Sequence, residues 1–189
     1  VMKNILAEAE IEEEIPRDFA IYDLVQFLNG VTLHDNPSIE FPNESNLTIR
    51  EGKDRKTKYF FADPSVIVSP PEKSIALPTE DVCFNLDSTQ LQSLLKASAV
   101  YQLPDLVAVG EAGVVKLVVR DKKNDTSNEY SINVGETDQE FNFNFKVENI
   151  KILPGTYEVV ISQKLLARFV NNNFNLTYYI ALEPDSTFG

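Results

Sequence analysis

Basic residues are in short supply in this 189-residue chain: 17 Lys and Arg stand against 29 Asp and Glu, a formal net charge of −12. That balance argues against a general nucleic-acid coat, because affinity for DNA comes largely from Lys and Arg meeting phosphates. It leaves DNA open as a partner if the cations are sorted onto one surface. Cysteine occurs once, at Cys83, which excludes any intramolecular disulfide. Its place inside VCFNL reads as a small buried hydrophobe rather than a nucleophile. Histidine also occurs once, as His34 in VTLHDNP, and the chain holds no HExxH, no CxxC and no glycine-rich phosphate loop. The run Glu12–Glu14 is a poor cation site, since neighbours on a strand point to opposite sides. No catalytic residue, metal or cofactor is therefore expected, and no substrate turnover. Long apolar runs are missing as well. Nothing approaches the roughly 20 residues of a bilayer-spanning helix, and no signal-peptide pattern stands out, so the expectation is a cytoplasmic protein with no membrane partner.

What the chain does have is a proline-rich connector. The stretch Asp63–Asp81, DPSVIVSPPEKSIALPTED, holds four of the ten prolines and no glycine. Proline fixes φ and removes a donor, so this stretch is neither helix nor central strand. Similar strings flank it: KYFFADPS (58–65) runs into it and YYIALEPDS (178–186) ends the second part of the chain. The sequence thus reads as two related domains, 1–65 and 81–189, joined by a connector at 66–80.

Periodicity supplies the elements. Ile5, Ala7, Ala9 and Ile11 alternate as a strand does within 3–15. In IYDLVQFLNG (21–30), Ile21, Leu24, Val25 and Leu28 share one helical face, with Gly30 as a stop. Strands follow at 38–41, 46–51 and 58–62. After the connector comes a strand at 81–87, then Asp87 with Gln90 three residues on, a capping box that opens a helix at 88–101. That helix turns Leu91, Leu94, Leu95 and Ser98 one way and Gln92 and Lys96 the other. Strands are expected at 106–111, 114–120 and 128–135, then a strand from 140 passing into a short helix near 146–152, and strands at 156–162, 165–170 and 176–183. The class is α+β, built from repeated β-α-β-β-β units. The second domain holds two such units and the first only one plus a strand. The chain also begins at Val1 rather than Met, so the expectation is that a first helix and about two strands are absent and that the first domain's sheet is incompletely covered.

Several strings are similar to those of the sliding clamps, the DNA polymerase processivity factors, and most of all to the clamps of T-even-type bacteriophages. They are FAIYDLVQFLNG (19–30), FFADPSVIVSPP (60–71), LQSLLKAS (91–98), EYSINVGETDQEFNFNF (129–145), ILPGTYEVVI (152–161) and YYIALEPDST (178–187). The resemblance implies the DNA clamp fold, with outer antiparallel sheets and inner helices, in a homotrimeric ring around duplex DNA. The implied partners are DNA polymerase and a clamp loader, with sequence-independent phosphate attraction and no base readout. An acidic exterior would repel DNA outside the ring and inner cations would guide it within. Lys96 is the best candidate for the lining, followed by Lys146 and Lys151 on the next expected helix. The clusters Lys53, Arg55, Lys56, Lys58 and Lys116, Arg120, Lys122, Lys123 read as solvated hairpin tips.

By the same resemblance, partner peptides would seat on Val66, Val68, Leu77 and Pro78 of the connector with Tyr178, Tyr179, Ile180 and Ala181, where apolar anchors supply most of the energy. Ring closure would pair Lys58, Tyr59, Phe60 and Phe61 with Asn128, Glu129, Tyr130, Ser131 and Ile132 of a neighbour, Lys58 and Glu129 flanking the junction. The main rival is a β-rich phage structural or protein-binding module that does not encircle DNA. A small acidic hydrolase is a second, but no pocket of convergent titratable groups can be assembled for it.

Overall fold

The computed structural model describes every residue except 1–3, 70, 72 and 74. Its contacts fall into two compact units, one of Val1–Ile11 with Lys73–Gly189 and the other of Glu12–Glu72. The first strand, β1 (Ile5–Ala9), therefore belongs to the larger unit and not to the domain in which the sequence reading put it. The reason is hydrogen bonding: β1 pairs antiparallel with a strand near the far end of the chain, Ile5 opposite Ile180.

The Glu12–Glu72 unit carries one helix, α1 (Leu24–Val31), and a sheet of β2 (Ser38–Glu40), β3 (Asn46–Glu51) and β4 (Arg55–Phe60) in the order β2-β3-β4. Asp23 caps α1 by accepting from the Gln26 N–H at 2.9 Å, so the helix opens after Ile21 and runs through Gly30. The apolar face expected for it is not the buried one: Leu24, Val25 and Leu28 are exposed and Phe27 alone is buried. Aromatic packing decides this. Phe27 meets Tyr59 at 5.1 Å between ring centroids, and Phe19, Phe41 and Phe61 gather beside them over Leu47 and Ile49 of β3. β4 begins three residues earlier than its hydrophobic letters suggest, because the basic run Arg55–Lys58 pairs fully with β3.

The larger unit is a sandwich of two five-stranded sheets. One has the order β1-β12-β11-β10-β5, from β5 (Val82–Leu86), β10 (Tyr157–Ser162), β11 (Leu166–Asn171) and β12 (Leu176–Ala181). The other runs β13-β9-β6-β7-β8, from β6 (Asp105–Glu111), β7 (Val114–Arg120), β8 (Tyr130–Glu136), β9 (Phe141–Lys146) and β13 (Thr187–Phe188). Between the sheets lies a continuous apolar core with Tyr157, Phe143, Phe145, Leu91 and Leu94 among its fully buried members. The helix α2 (Ser88–Tyr101) covers part of it through Leu91, Leu94 and Ser98. Both halves of the expected capping box are present, Asp87 accepting from the Gln90 N–H at 2.8 Å and Gln90 accepting from the Asp87 N–H at 3.0 Å. The short helix expected near 146–152 is absent. β9 runs to Lys146, and a single 3-10 turn, Val147–Asn149, follows.

Helix α2 ends on Gln102 at φ 54, ψ 43, a left-handed residue that strains any side chain with a Cβ. Gln102 is exposed and its side chain makes no hydrogen bond among the described residues. Gln102→Gly is expected to stabilise the larger unit by about 1 kcal/mol, read as a melting temperature a few degrees higher.

Candidate functional site

Lys96 projects from the exposed side of α2, opposite the leucines that anchor the helix, and among the described residues it has no ion-pair partner. Gln92, one turn earlier on the same side, is also exposed, and Ala99 and Val100 beyond Lys96 are exposed and uncharged. Among the residues of α2 itself, this face offers one cation and one amide and no carboxylate. Lys146 is placed differently from the expectation. It ends β9, and its ammonium lies 2.5 Å from Asp105 Oδ1, whose side chain is only 1% exposed. The hydrogen bond it donates to Asp105 raises the Lys146 pKa above the ordinary lysine value, and the negative charges of Glu183 and Asp185 reinforce this against partial burial. Asp105 also accepts from the Lys122 N–H at 3.0 Å. Lys146 is thus committed to a structural ion pair instead of standing on a lining helix. Lys151 is exposed, on an irregular segment after the 3-10 turn.

The basic clusters are partly neutralised. Arg55 pairs with Glu51 at 3.4 Å, Lys116 with Glu111 at 2.8 Å and Lys122 with Asp185 at 2.8 Å. Lys56, Lys58 and Phe60 share the outward side of β4, with the Lys58 ammonium 4.7 Å from the Phe60 ring centre. Tyr59 and Phe61 point the other way, into the aromatic core, so the edge strand offers its backbone, Lys58 and Phe60. β4 and β8 are each the last strand of their sheet, with one edge unpaired among the described residues. On β8, Ile132 and Val134 pack against the core while Tyr130 and Ser131 are exposed; Asn128 and Glu129 precede the strand and are exposed too.

Strand alternation divides the expected peptide site. Tyr178 and Ile180 face the core of the sandwich, with Ile180 fully buried, and cannot line a surface pocket. Tyr179 and Ala181 face outward. Tyr179 stands in a cross-strand row with Leu6 of β1, Arg168 of β11, Val160 of β10 and Cys83 of β5. Cys83 is therefore exposed on this outer side and not buried as its neighbours in sequence suggest. Partial burial, then the charges of Glu158 and Glu80, push its thiol pKa up. Leu77 is half-buried and Pro78 exposed, whereas Val66 and Val68 are exposed in the smaller unit. A cavity of about 730 Å³ in that unit, lined by Ile15, Phe19, Ile21, Pro64 and Ile67, had no signal in the sequence because its walls come from irregular segments.

His34 is half-buried, its Nε2 2.9 Å from Thr57 Oγ1. Among the described residues no three His, Cys, Asp or Glu are grouped to hold a metal ion, and no helix is long and apolar enough to cross a membrane.

Comparison with known proteins decides what these surfaces belong to. Residues 83–184 match the family described as gp45 sliding clamp, C terminal, and residues 1–69 match the DNA polymerase processivity factor family. The sliding clamp of Vibrio phage KVP40 is 34% identical over 185 residues, covering 94% of this chain and 82% of that protein. The chain belongs to the sliding-clamp family. The sliding clamp of Escherichia phage RB69 is likewise 34% identical, over 191 residues and with 82% of its length covered. The clamp fold is seen again in the DNA polymerase III subunit beta of Borrelia burgdorferi, with a TM-score of 0.68 at 15% identity, over 95% of this chain and 50% of that one.

Proposed function

We propose that this chain is the subunit of a sliding clamp that encircles duplex DNA and tethers the replicative DNA polymerase for processive synthesis, catalysing nothing itself. The observation that carries the reading is the similarity to phage sliding clamps along nearly the whole chain. Its working form is a homotrimer, opened by a clamp loader, in the cytoplasm of an infected bacterial cell. A ring must hold DNA without reading or gripping it, and an acidic protein with few inward cations suits that task.

Ring closure uses the edges of β4 and β8. The chain contains its own example of such a join in β1 added antiparallel to β12. An antiparallel ladder between β4 and a neighbour's β8 that keeps the core-facing residues of both strands on one side sets Tyr59 opposite Ile132, Phe60 opposite Ser131, Lys58 opposite Asn133 and Arg55 opposite Glu136. Glu129 then lies past the end of the ladder, so Arg55 with Glu136 takes the place of Lys58 with Glu129 as the flanking contact. Main-chain hydrogen bonds supply the affinity of this join and protect edges that would otherwise promote aggregation.

The test is primer extension by the cognate polymerase on primed circular DNA. Addition of the intact protein and its loader should lengthen products, and unchanged product length would overturn the reading. Lys96→Ala should shorten residence on circular DNA and lower the slope of log affinity against log salt by about one for each lysine engaged. An unchanged slope would remove Lys96 from the lining.

A further inference from the structure

The outward side of a sandwich sheet is ordinarily wet, yet on β10 two outward residues are dry: Val160 is 3% exposed and Ser162 fully buried. The end of the connector is bonded across them. Thr79 Oγ1 lies 2.7 Å from Ser162 Oγ and 2.5 Å from Asp81 Oδ2. The Asp81 carboxylate also accepts from the Gln163 N–H at 2.8 Å and from Gln163 Nε2 at 2.9 Å, while the Asp81 N–H donates to the Ile161 carbonyl at 3.0 Å. Glu80 reaches over β10 to Arg168 on β11 at 3.1 Å, the residue directly beside Tyr179 in the cross-strand row. The hairpin turn that receives Asp81 is itself fixed, for the Lys164 N–H donates to Ser162 Oγ at 3.1 Å.

We infer that Thr79, Glu80 and Asp81 form a latch that holds the second half of the connector on the outer face of the sheet, and that this latch sets the affinity for the polymerase. The inference rests on the clamp reading, which makes Leu77 and Pro78 walls of the partner site. Those two residues immediately precede the latch, and a wall must be held still before an apolar anchor gains by packing on it. Asp81 is the central positioning residue, since one carboxylate gathers the connector's Thr79 and both donors of Gln163. Glu80 contributes less, because its pair with Arg168 is largely solvated.

The test uses the intact protein and immobilised cognate polymerase. Asp81→Ala should weaken binding about tenfold, and Asp81→Asn, which keeps an acceptor for the Gln163 N–H, about threefold. Hydrogen exchange should quicken at the Asp81 amide and through the connector segment before it, while β11 and β12 keep wild-type protection and the trimer keeps its mass. Faster connector exchange with wild-type polymerase affinity would overturn the latch as a determinant of binding. Unchanged exchange would overturn it as a physical restraint. Spread of the faster exchange into β11 and β12 would show a general loss of structure and equally refute a local latch, and Thr79→Val, which removes only the hydroxyl bridge, provides the milder variant for the same comparison. Failure of the wild-type protein to bind polymerase at all would instead overturn the clamp reading itself.

Discussion

Lys146→Ala should cost the larger unit about 3 kcal/mol and lower its melting temperature by about 10 °C. The expected loss follows from what is left behind. Asp105 is almost completely shielded from water, and without the Lys146 ammonium its charge keeps, among the described residues, only the Lys122 N–H as a hydrogen-bond partner. An unpaired charge in the interior is far more costly than the pair is valuable, so Asp105→Asn combined with Lys146→Met should recover much of the loss. Calorimetry on the single and double variants measures this directly, and a single variant melting within about 2 °C of wild type would refute it. The pH dependence has a definite sign. Because Asp105 raises the pKa of Lys146, the contribution is complete below the ordinary lysine value and disappears as pH climbs through the higher value of the folded state. The same variant separates structure from DNA contact: measured well below its melting point, Lys146→Ala should hold DNA as the wild type does.

Gly110→Ala is expected to be similarly damaging, about 3 kcal/mol by urea titration. A Cβ at position 110 would stand 2.3 Å from Phe141 Cε1, 2.5 Å from Phe141 Cδ1 and 2.6 Å from the Gln139 carbonyl oxygen. The backbone oxygen cannot swing aside. The ring is no freer, because Phe141 is stacked on Phe143 at 5.1 Å and against Phe188 at 6.4 Å. Glycine at 110 is thus required by close approach on β6. Phe141→Leu in the alanine background should return part of the stability, and a single variant within about 1 kcal/mol of wild type would show that β9 can give way.

Much of this architecture was legible in the residues. The α2 capping box, the leucine face of that helix and the bounds of β3 and β7 match the sequence reading, since each is fixed by interactions within a few residues or by strict alternation. The misreadings share a cause. For α1, a stripe of aliphatic residues predicted the buried face, but the small unit is filled with aromatic rings from other segments, which choose Phe27. For β12, a run of apolar letters hid which alternate residues look inward, and only pairing with β1 and β11 fixes Tyr178 and Ile180 in the core. Lys146 looked free because its partner Asp105 stands 41 residues away. Cys83 looked buried because its apolar neighbours Val82 and Phe84 are, and they lie on the opposite face.

The pairing of β1 with β12 also bears on how the molecule is made. Ile5–Ala9 leaves the ribosome long before Leu176–Ala181, so β1 stays without its neighbour until the intervening residues are out. Closure of so long a loop is entropically slow, and a bare strand that waits is open to the wrong company. Production at low temperature or with a holdase chaperone should therefore favour correctly assembled protein over aggregate.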